Sequence, residues 1–355
     1  MTDREAGQGA LGGQPVPNIS ISSASIGCKT AYETWRESVA DVFNTRPGER
    51  TNLGEFPLEM STFHPGPLVL GRFASGAQEF ERNNRTIASG GLDHFLFQLY
   101  ERGGFCGLAD GADIRVCAGD ICILDLTRTL DTRATDFQNV TLIVPRSLLE
   151  SFIDDVDALS GVVLAGDEPL TRMLARHMRS LHCEMARMSQ DEAEAAARAS
   201  AALIAVAAQR HARYGSTGSE PLVSRFRAIV AHIDANLHDV ALTPRSICED
   251  LGMSRASLYR MFASVGGVSE FIRIRRLEAA IRLLVSSASM HLGIAEIAFG
   301  CGFKTLSSFS KTFRNHFGLS PSEVRQSACE NALSDCRTGG IVGKADFAYW
   351  LRTLD

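Results

Sequence analysis

The chain of 355 residues contains no run of about 18 apolar residues, the minimum a membrane-spanning helix needs, so no such helix is expected. Residues Met1 to Ala10 carry no apolar stretch of the secretory kind, so export is not expected either. Nine cysteines are present, an odd number. None stands in a Cys-x-x-Cys arrangement, and Cys117 and Cys122 are the closest well-spaced pair. That argues against a zinc or dithiol centre and for reduced thiols in the cytoplasm. Gly-x-Ser-x-Gly, His-Glu-x-x-His and Walker A motifs are missing. No catalytic residue, metal or cofactor is therefore expected.

The net charge of −5 conceals an uneven distribution. Residues 222–328 hold 13 Lys and Arg against 8 Asp and Glu. Residues 1–221 hold 20 against 29, and residues 329–355 hold 3 against 4. A positive domain joined to an acidic remainder is the electrostatic footprint of a phosphate-binding surface confined to one domain.

In that positive segment a pattern occurs twice. The first copy, Ser246 to Phe262, has an apolar stretch, Gly252, and a second stretch ending Arg260-Met-Phe262. The second copy, Glu296 to Phe313, repeats this with Gly302 and Lys311-Thr-Phe313. Ile247 aligns with Ile297 and Gly252 with Gly302, at an offset of 50; Leu258 aligns with Phe309 and Phe262 with Phe313, at an offset of 51. The slip of one residue falls in the turn, where insertions are best tolerated. Thr243-Pro244 and Ser254 are helix-start signals. Leu258, Met261 and Phe262 form an apolar stripe.

Each copy therefore reads as a helix-turn-helix, whose second helix enters a DNA major groove. The opposite face of the first second-helix carries Arg255, Ala256, Ser257, Tyr259 and Arg260; arginine can bond guanine O6 and N7 bidentately. The matching face of the second copy carries Lys304, Leu306, Ser307, Ser310 and Lys311, with Arg314 beyond. Between the copies, residues 269–287 read as one connecting helix. A single such pattern could be a plain helical hairpin; the repetition and the local charge favour double-stranded DNA.

Upstream the texture differs. Residues 1–27, rich in Gly, Ser and Pro, read as a disordered arm. A helix is expected over Ala31–Phe43. Short strands broken by glycine turns follow at 68–73, 78–87, 93–100, 113–116, 121–126 and 139–144, the signature of a β-barrel or sandwich. The stretch His94 to Tyr100 is apolar on both faces and is expected at the centre of a sheet. Helices are expected over 147–159, 168–188 and 190–214. The last is rich in alanine, which suits close helix approach, either in a homodimer or against the β-domain. Gly215 to Ser219 reads as a linker, and residues 341–355 as an amphipathic helix with Phe347, Trp350, Leu351 and Leu354 on one face.

The residues Gly302-Phe303, Phe309-Ser-Lys-Thr-Phe313 and Phe317-Gly-Leu-Ser-Pro-Ser-Glu-Val-Arg325 resemble the C-terminal signature of the AraC/XylS family of bacterial transcription regulators. The resemblance covers about residues 222–328. It implies base contacts from Arg255, Ala256, Tyr259 and Arg260, then Leu306, Ser307, Ser310 and Lys311. It also implies RNA polymerase as a partner. Two departures stand out: Ala256 is small for a base reader, and Gly267-Val-Ser-Glu270 lacks the proline of the second copy. The N-terminal half resembles, less specifically, the cupin-like domain that often precedes this unit and senses a small effector.

The expected architecture is α+β with two domains. Residues 1–27 form an arm, 28–214 a cupin-like β-barrel with a helical dimerisation hairpin, 215–221 a linker, 222–328 an all-α double helix-turn-helix domain, and 329–355 an extension. Arg72, His94, Gln98 and Asp125 are polar groups in apolar strands, where isolation is costly; they serve either an effector or one another. The expected function is an effector-responsive activator. The alternatives are a metal-dependent cupin enzyme with a DNA-binding appendage, for which His64 and His94 are few ligands, and a ligand-independent DNA-binding protein.

Overall fold

The computed structural model describes residues 15–49, 51–153, 155–214, 221–263, 266–285, 289–335 and 346–354. The strands are β1 (Asn18–Ser22), β2 (Asn44–Pro47), β3 (Leu58–Phe63), β4 (Val69–Ser75), β5 (Gln78–Arg82), β6 (Phe95–Arg102), β7 (Phe105–Ala109), β8 (Ala112–Val116), β9 (Ile121–Asp125), β10 (Leu130–Ala134), β11 (Phe137–Val144) and β12 (Val163–Leu164). The helices of the β-rich half are α1 (Ser23–Ile26), α2 (Cys28–Ser38), α3 (Asn84–Gly90), α4 (Arg146–Glu150), α5 (Pro169–Met185) and α6 (Gln190–Tyr214). Those of the C-terminal part are α7 (Pro221–Ala235), α8 (Pro244–Asp250), α9 (Arg255–Met261), α10 (Val268–Val285), α11 (Ile294–Gly300), α12 (Leu306–Phe317), α13 (Pro321–Asp335) and α14 (Asp346–Thr353).

The strands form two sheets, ordered β1-β3-β4-β11-β6-β9-β12 and β2-β5-β10-β7-β8. This is the cupin-like arrangement expected, built as two sheets; among the described residues no ladder joins them. Strand β6 sits between β11 and β9 and is buried on both faces. Leu96 and Tyr100 belong to the core between the sheets, while Phe95, Phe97 and Leu99 belong to a second core beneath α5 and α6.

Three expectations change in this half. Residues 1–14 lie outside the described residues, but 18–22 are no loose arm: they pair antiparallel with β3. Ile19 and Ile21 pack on the inner core, and this alternation within Asn-Ile-Ser-Ile-Ser suits an edge strand. The strand expected through Ile87 stops at Arg82, because the Asn83 side chain accepts from the Thr86 amide and opens α3. The helix expected over 147–159 is only Arg146–Glu150, followed by a short 3-10 turn at Asp157–Leu159.

The alanines of α6 divide between its two faces, with Ala195 and Ala199 exposed. Ala193, Ala197, Ala205 and Ala208 are buried with Leu174, Met178 and Met185 of α5 in the core under the seven-stranded sheet. The hairpin's outward face also carries Met173 and Val206, both more than half exposed.

The expected linker at 215–221 falls mostly outside the described residues, and Pro221 already opens α7. The C-terminal helices bury two cores, one around Ile247, Leu258 and Phe262, the other around Ile297, Phe309, Phe313 and Phe317. Ile87 and Ala88 of α3 join the second of these, so the β-domain packs directly on the second helix-turn-helix. The extension begins inside α13, which runs to Asp335; residues 336–345 lie outside the described residues. Among the described residues no helix is long and apolar enough to cross a membrane.

Candidate DNA interface and effector cavity

In the first helix-turn-helix, Thr243 caps α8 and forms a reciprocal capping box with Ser246, and Pro244 occupies the first turn. Gly252 turns the chain at φ +59°, a left-handed conformation that costs glycine nothing. The Ser254 side chain then accepts from the Ser257 amide and starts α9. The second unit uses Gly302 at φ +78° and Thr305, which accepts from the Ser308 amide and starts α12. One residue separates Gly252 from its cap and two separate Gly302 from its cap, which locates the single-residue slip. The glycines differ in one respect. A Cβ at 252 would meet nothing within 4 Å, whereas one at 302 would lie 2.3 Å from the Leu237 carbonyl oxygen.

The buried stripes decide what each second helix presents. Leu258 and Phe262 anchor α9, leaving Arg255, Ala256, Tyr259 and Arg260 exposed. Phe309, Phe313 and Phe317 anchor α12, leaving Lys304, Leu306, Ser307, Lys311 and Arg314 exposed, with Ser310 half-buried. Tyr259 and Leu306 are large side chains held in solvent, at 50% and 40% exposure, where packing gives no reason for them. Arg255, Arg260, Lys304 and Lys311 form no ion pair among the described residues, in contrast to Arg245 and Arg273, which pair with Glu249 and Glu270. Free cations on two capped helix faces can contact phosphates and base edges.

The connecting helix α10 ties this unit to the β-domain. Arg275 bonds both Asp234 oxygens at 2.6 Å and Asp157 at 3.1 Å. Asp157 in turn accepts from Arg146 at 2.7 Å, and Arg146 reaches Asp125 at 2.6 Å. Arg128, in the turn after β9, meets Glu278 of α10 at 2.7 Å. Sequence reasoning missed this network, because its members are spread from residue 110 to 282.

Between the sheets lies a cavity with aromatic walls, formed by Trp35, Phe73, Tyr100, Phe105 and Phe137 among others. Its polar lining is neutral: Gln98, Thr132, Asn139 and Thr141. Gln98 donates to Thr141 at 3.4 Å, and Thr141 donates to Asn139 at 3.2 Å. Burial pushes the Tyr100 hydroxyl above its ordinary range, so it stays protonated.

The four polar residues singled out from sequence separate here. Gln98 faces the cavity. Arg72 points out of the sheet and pairs with Glu101 at 2.9 Å, on the outer face that also holds Arg179. Asp125 is buried outside the cavity; burial would raise its carboxyl, but Arg146, Arg128 and the Thr127 donors hold it below the usual carboxylate range. His94 lies before β6 and donates from Nε2 to the Leu351 carbonyl of α14 at 2.6 Å. Among the described residues no group of three His, Cys, Asp or Glu is placed to hold a metal.

Comparison with known proteins agrees with this geometry. Residues 247–327 match the family described as a helix-turn-helix domain, and residues 35–208 match the AraC-binding-like domain. The transcriptional activator NphR of Rhodococcus sp is 25% identical over 265 residues, covering 74% of this chain and 78% of that protein. The Msm operon regulatory protein of Streptococcus mutans is 30% identical over 133 residues, covering 37% of this chain and 45% of that protein. Among solved structures, the AraC-like transcriptional activator CuxR is similar at 25% identity and a TM-score of 0.50, covering 74% of this chain and 94% of that one.

Proposed function

Because this chain belongs to the AraC/XylS family of DNA-binding transcription regulators, we propose that it is an effector-responsive activator that reads two successive major-groove segments with α9 and α12. The observation that carries this is the matched pair of capped helices, each with a buried apolar stripe behind an exposed face of unpaired basic side chains. Base contacts are assigned to Arg255, Ala256, Tyr259 and Arg260 in the first unit and to Leu306, Ser307, Ser310 and Lys311 in the second. Lys304 and Arg314 flank the second set.

The β-domain senses a small molecule in the aromatic cavity, through Gln98 of the four candidates from sequence. Two copies pair through the outward face of the α5–α6 hairpin, and RNA polymerase is the transcriptional partner. The protein acts in the cytoplasm, and catalysis has no part in this reading. Activation is supported by the similarity to the transcriptional activators NphR and CuxR.

The reading is tested by sequencing genomic fragments retained by the purified protein. The expected result is a bipartite motif whose halves lie about one helical turn, 10–10.5 base pairs, apart. Affinity should fall steeply with salt, as phosphate contacts require. Enrichment of no motif, or of a single short half-site, would contradict it.

A further inference from the structure

Both matched families end before α14, and the reading above leaves this helix without a role. It is nevertheless among the most deeply packed parts of the chain. Phe347, Trp350, Leu351 and Leu354 are all buried, and they join the core between the two β-sheets, not the core of the helix-turn-helix units. The Phe347 side chain forms part of the cavity wall itself.

Two polar contacts fix the helix there. His94 donates to the Leu351 carbonyl, one of the last-turn carbonyls that the helix cannot satisfy internally. Arg352 pairs with Asp41 at 3.0 Å. The Asp41 and Val42 carbonyls are in turn held by the buried Arg82 guanidinium at 2.9 and 2.6 Å, and Val42 and Phe43 line the cavity. The helix is thus docked on a rigid rim and is no loosely attached tail. With it in place the cavity offers about 50 Å³, room for very little. Ligand sites for drug-sized molecules run to about 300–1,000 Å³.

We propose that α14 is the resident occupant of the cavity mouth, and that the effector is an uncharged, ring-bearing apolar molecule that binds by displacing it. The proposal rests on the sensing role given to the β-domain and supplies its ligand class and its switch. The ligand class follows from the lining. The aromatic walls favour a flat apolar ring, and the ladder of Gln98, Thr141 and Asn139 can pair with one or two neutral polar groups. Among the described residues no charged side chain lines the cavity, so an ionised ligand would lie buried without a partner. The switch follows from connectivity: ten residues of chain separate α14 from α13, which packs on α10 and α12. Effector entry therefore releases a segment tethered to the second helix-turn-helix.

The test uses the full chain and two matched dyes. N-phenyl-1-naphthylamine is uncharged; 1-anilinonaphthalene-8-sulfonate has the same rings with a fixed negative charge. Leu351→Asp should undock α14 and raise affinity for the neutral dye by about tenfold or more, because the competent form no longer competes with the helix. A synthetic peptide of residues 346–355 should then displace the dye, and the charged dye should bind weakly to every form. Where Leu351→Asp fails to fold, Arg352→Ala removes one rim contact and should shift affinity in the same direction by less. Equal affinity of the folded variant and the wild type, or failure of the peptide to compete, overturns the inference. Binding of the neutral dye to no form overturns the sensing role as well. DNA affinity measured on the same samples shows whether the DNA-binding reading stands apart from both.

Discussion

Arg128 of the β-domain and Glu278 of the connecting helix meet at 2.7 Å, with both side chains at only 8% exposure. The pair joins the two functional halves of the chain at the helix that holds the two DNA-reading units together. Glu278 also accepts from Arg275 at 3.1 Å, and Arg128 also reaches Asp110 at 3.2 Å, so the contact is one link of a larger charge network.

Removing one member leaves the other buried without its shortest charge partner. Glu278→Ala should destabilise the protein by about 3 kcal/mol or more, as breaking a buried pair does. The double variant Arg128→Met with Glu278→Leu should recover most of that loss. Urea denaturation of Arg128→Met, Glu278→Leu and the double variant gives the coupling; additive losses would show that the pair does not act as a unit.

Asp125 makes stability depend on acid. Its folded carboxyl lies below the ordinary range, so its contribution is fully present above the unfolded pKa of about 3.9 and is lost as pH falls through the lower folded value. Asp125→Asn lacks this contribution. The stability gap between wild type and variant should be widest near neutrality and should narrow as pH drops below about 4. A gap that stays constant from pH 7 to 3 would place the main effect elsewhere.

The two turn glycines should respond unequally to alanine. Gly252→Ala suffers only the positive φ and should cost about 1 kcal/mol. Gly302→Ala adds a collision with the Leu237 carbonyl, which also accepts from Arg276 at 3.0 Å, and should cost distinctly more. Thermal melting of both variants checks the order, and equal losses would mean that the backbone at Leu237 yields easily.

The parts legible in sequence were those fixed by local chemistry. Caps, turn glycines and apolar stripes lie within a few residues of one another, so the presented faces of α9 and α12 could be read from Thr243, Ser254, Leu258 and Phe309 alone. The strand Leu130-Asp-Thr-Arg-Ala134 is not legible in sequence, because its buried face is Leu, Thr and Ala, a weakly apolar alternation. The cavity was harder still. Whether Arg72 or Phe73 faces inward depends on pairing with residues far along the chain, and a slip of one position exchanges them. The amphipathic character of 346–354 was visible, but its partner was not, since His94 lies more than 250 positions earlier.

The central claim, that two recognition helices read two separate segments of DNA, is tested most directly by one comparison. Arg260→Ala and Lys311→Ala are each assayed against a library of single-base variants of the selected site. Each should weaken binding, the arginine change by about 1–3 kcal/mol if it pairs with a base, and each should relax base preference in a different segment, about one helical turn apart. Relaxation of the same segment by both variants, or of neither, would contradict the account.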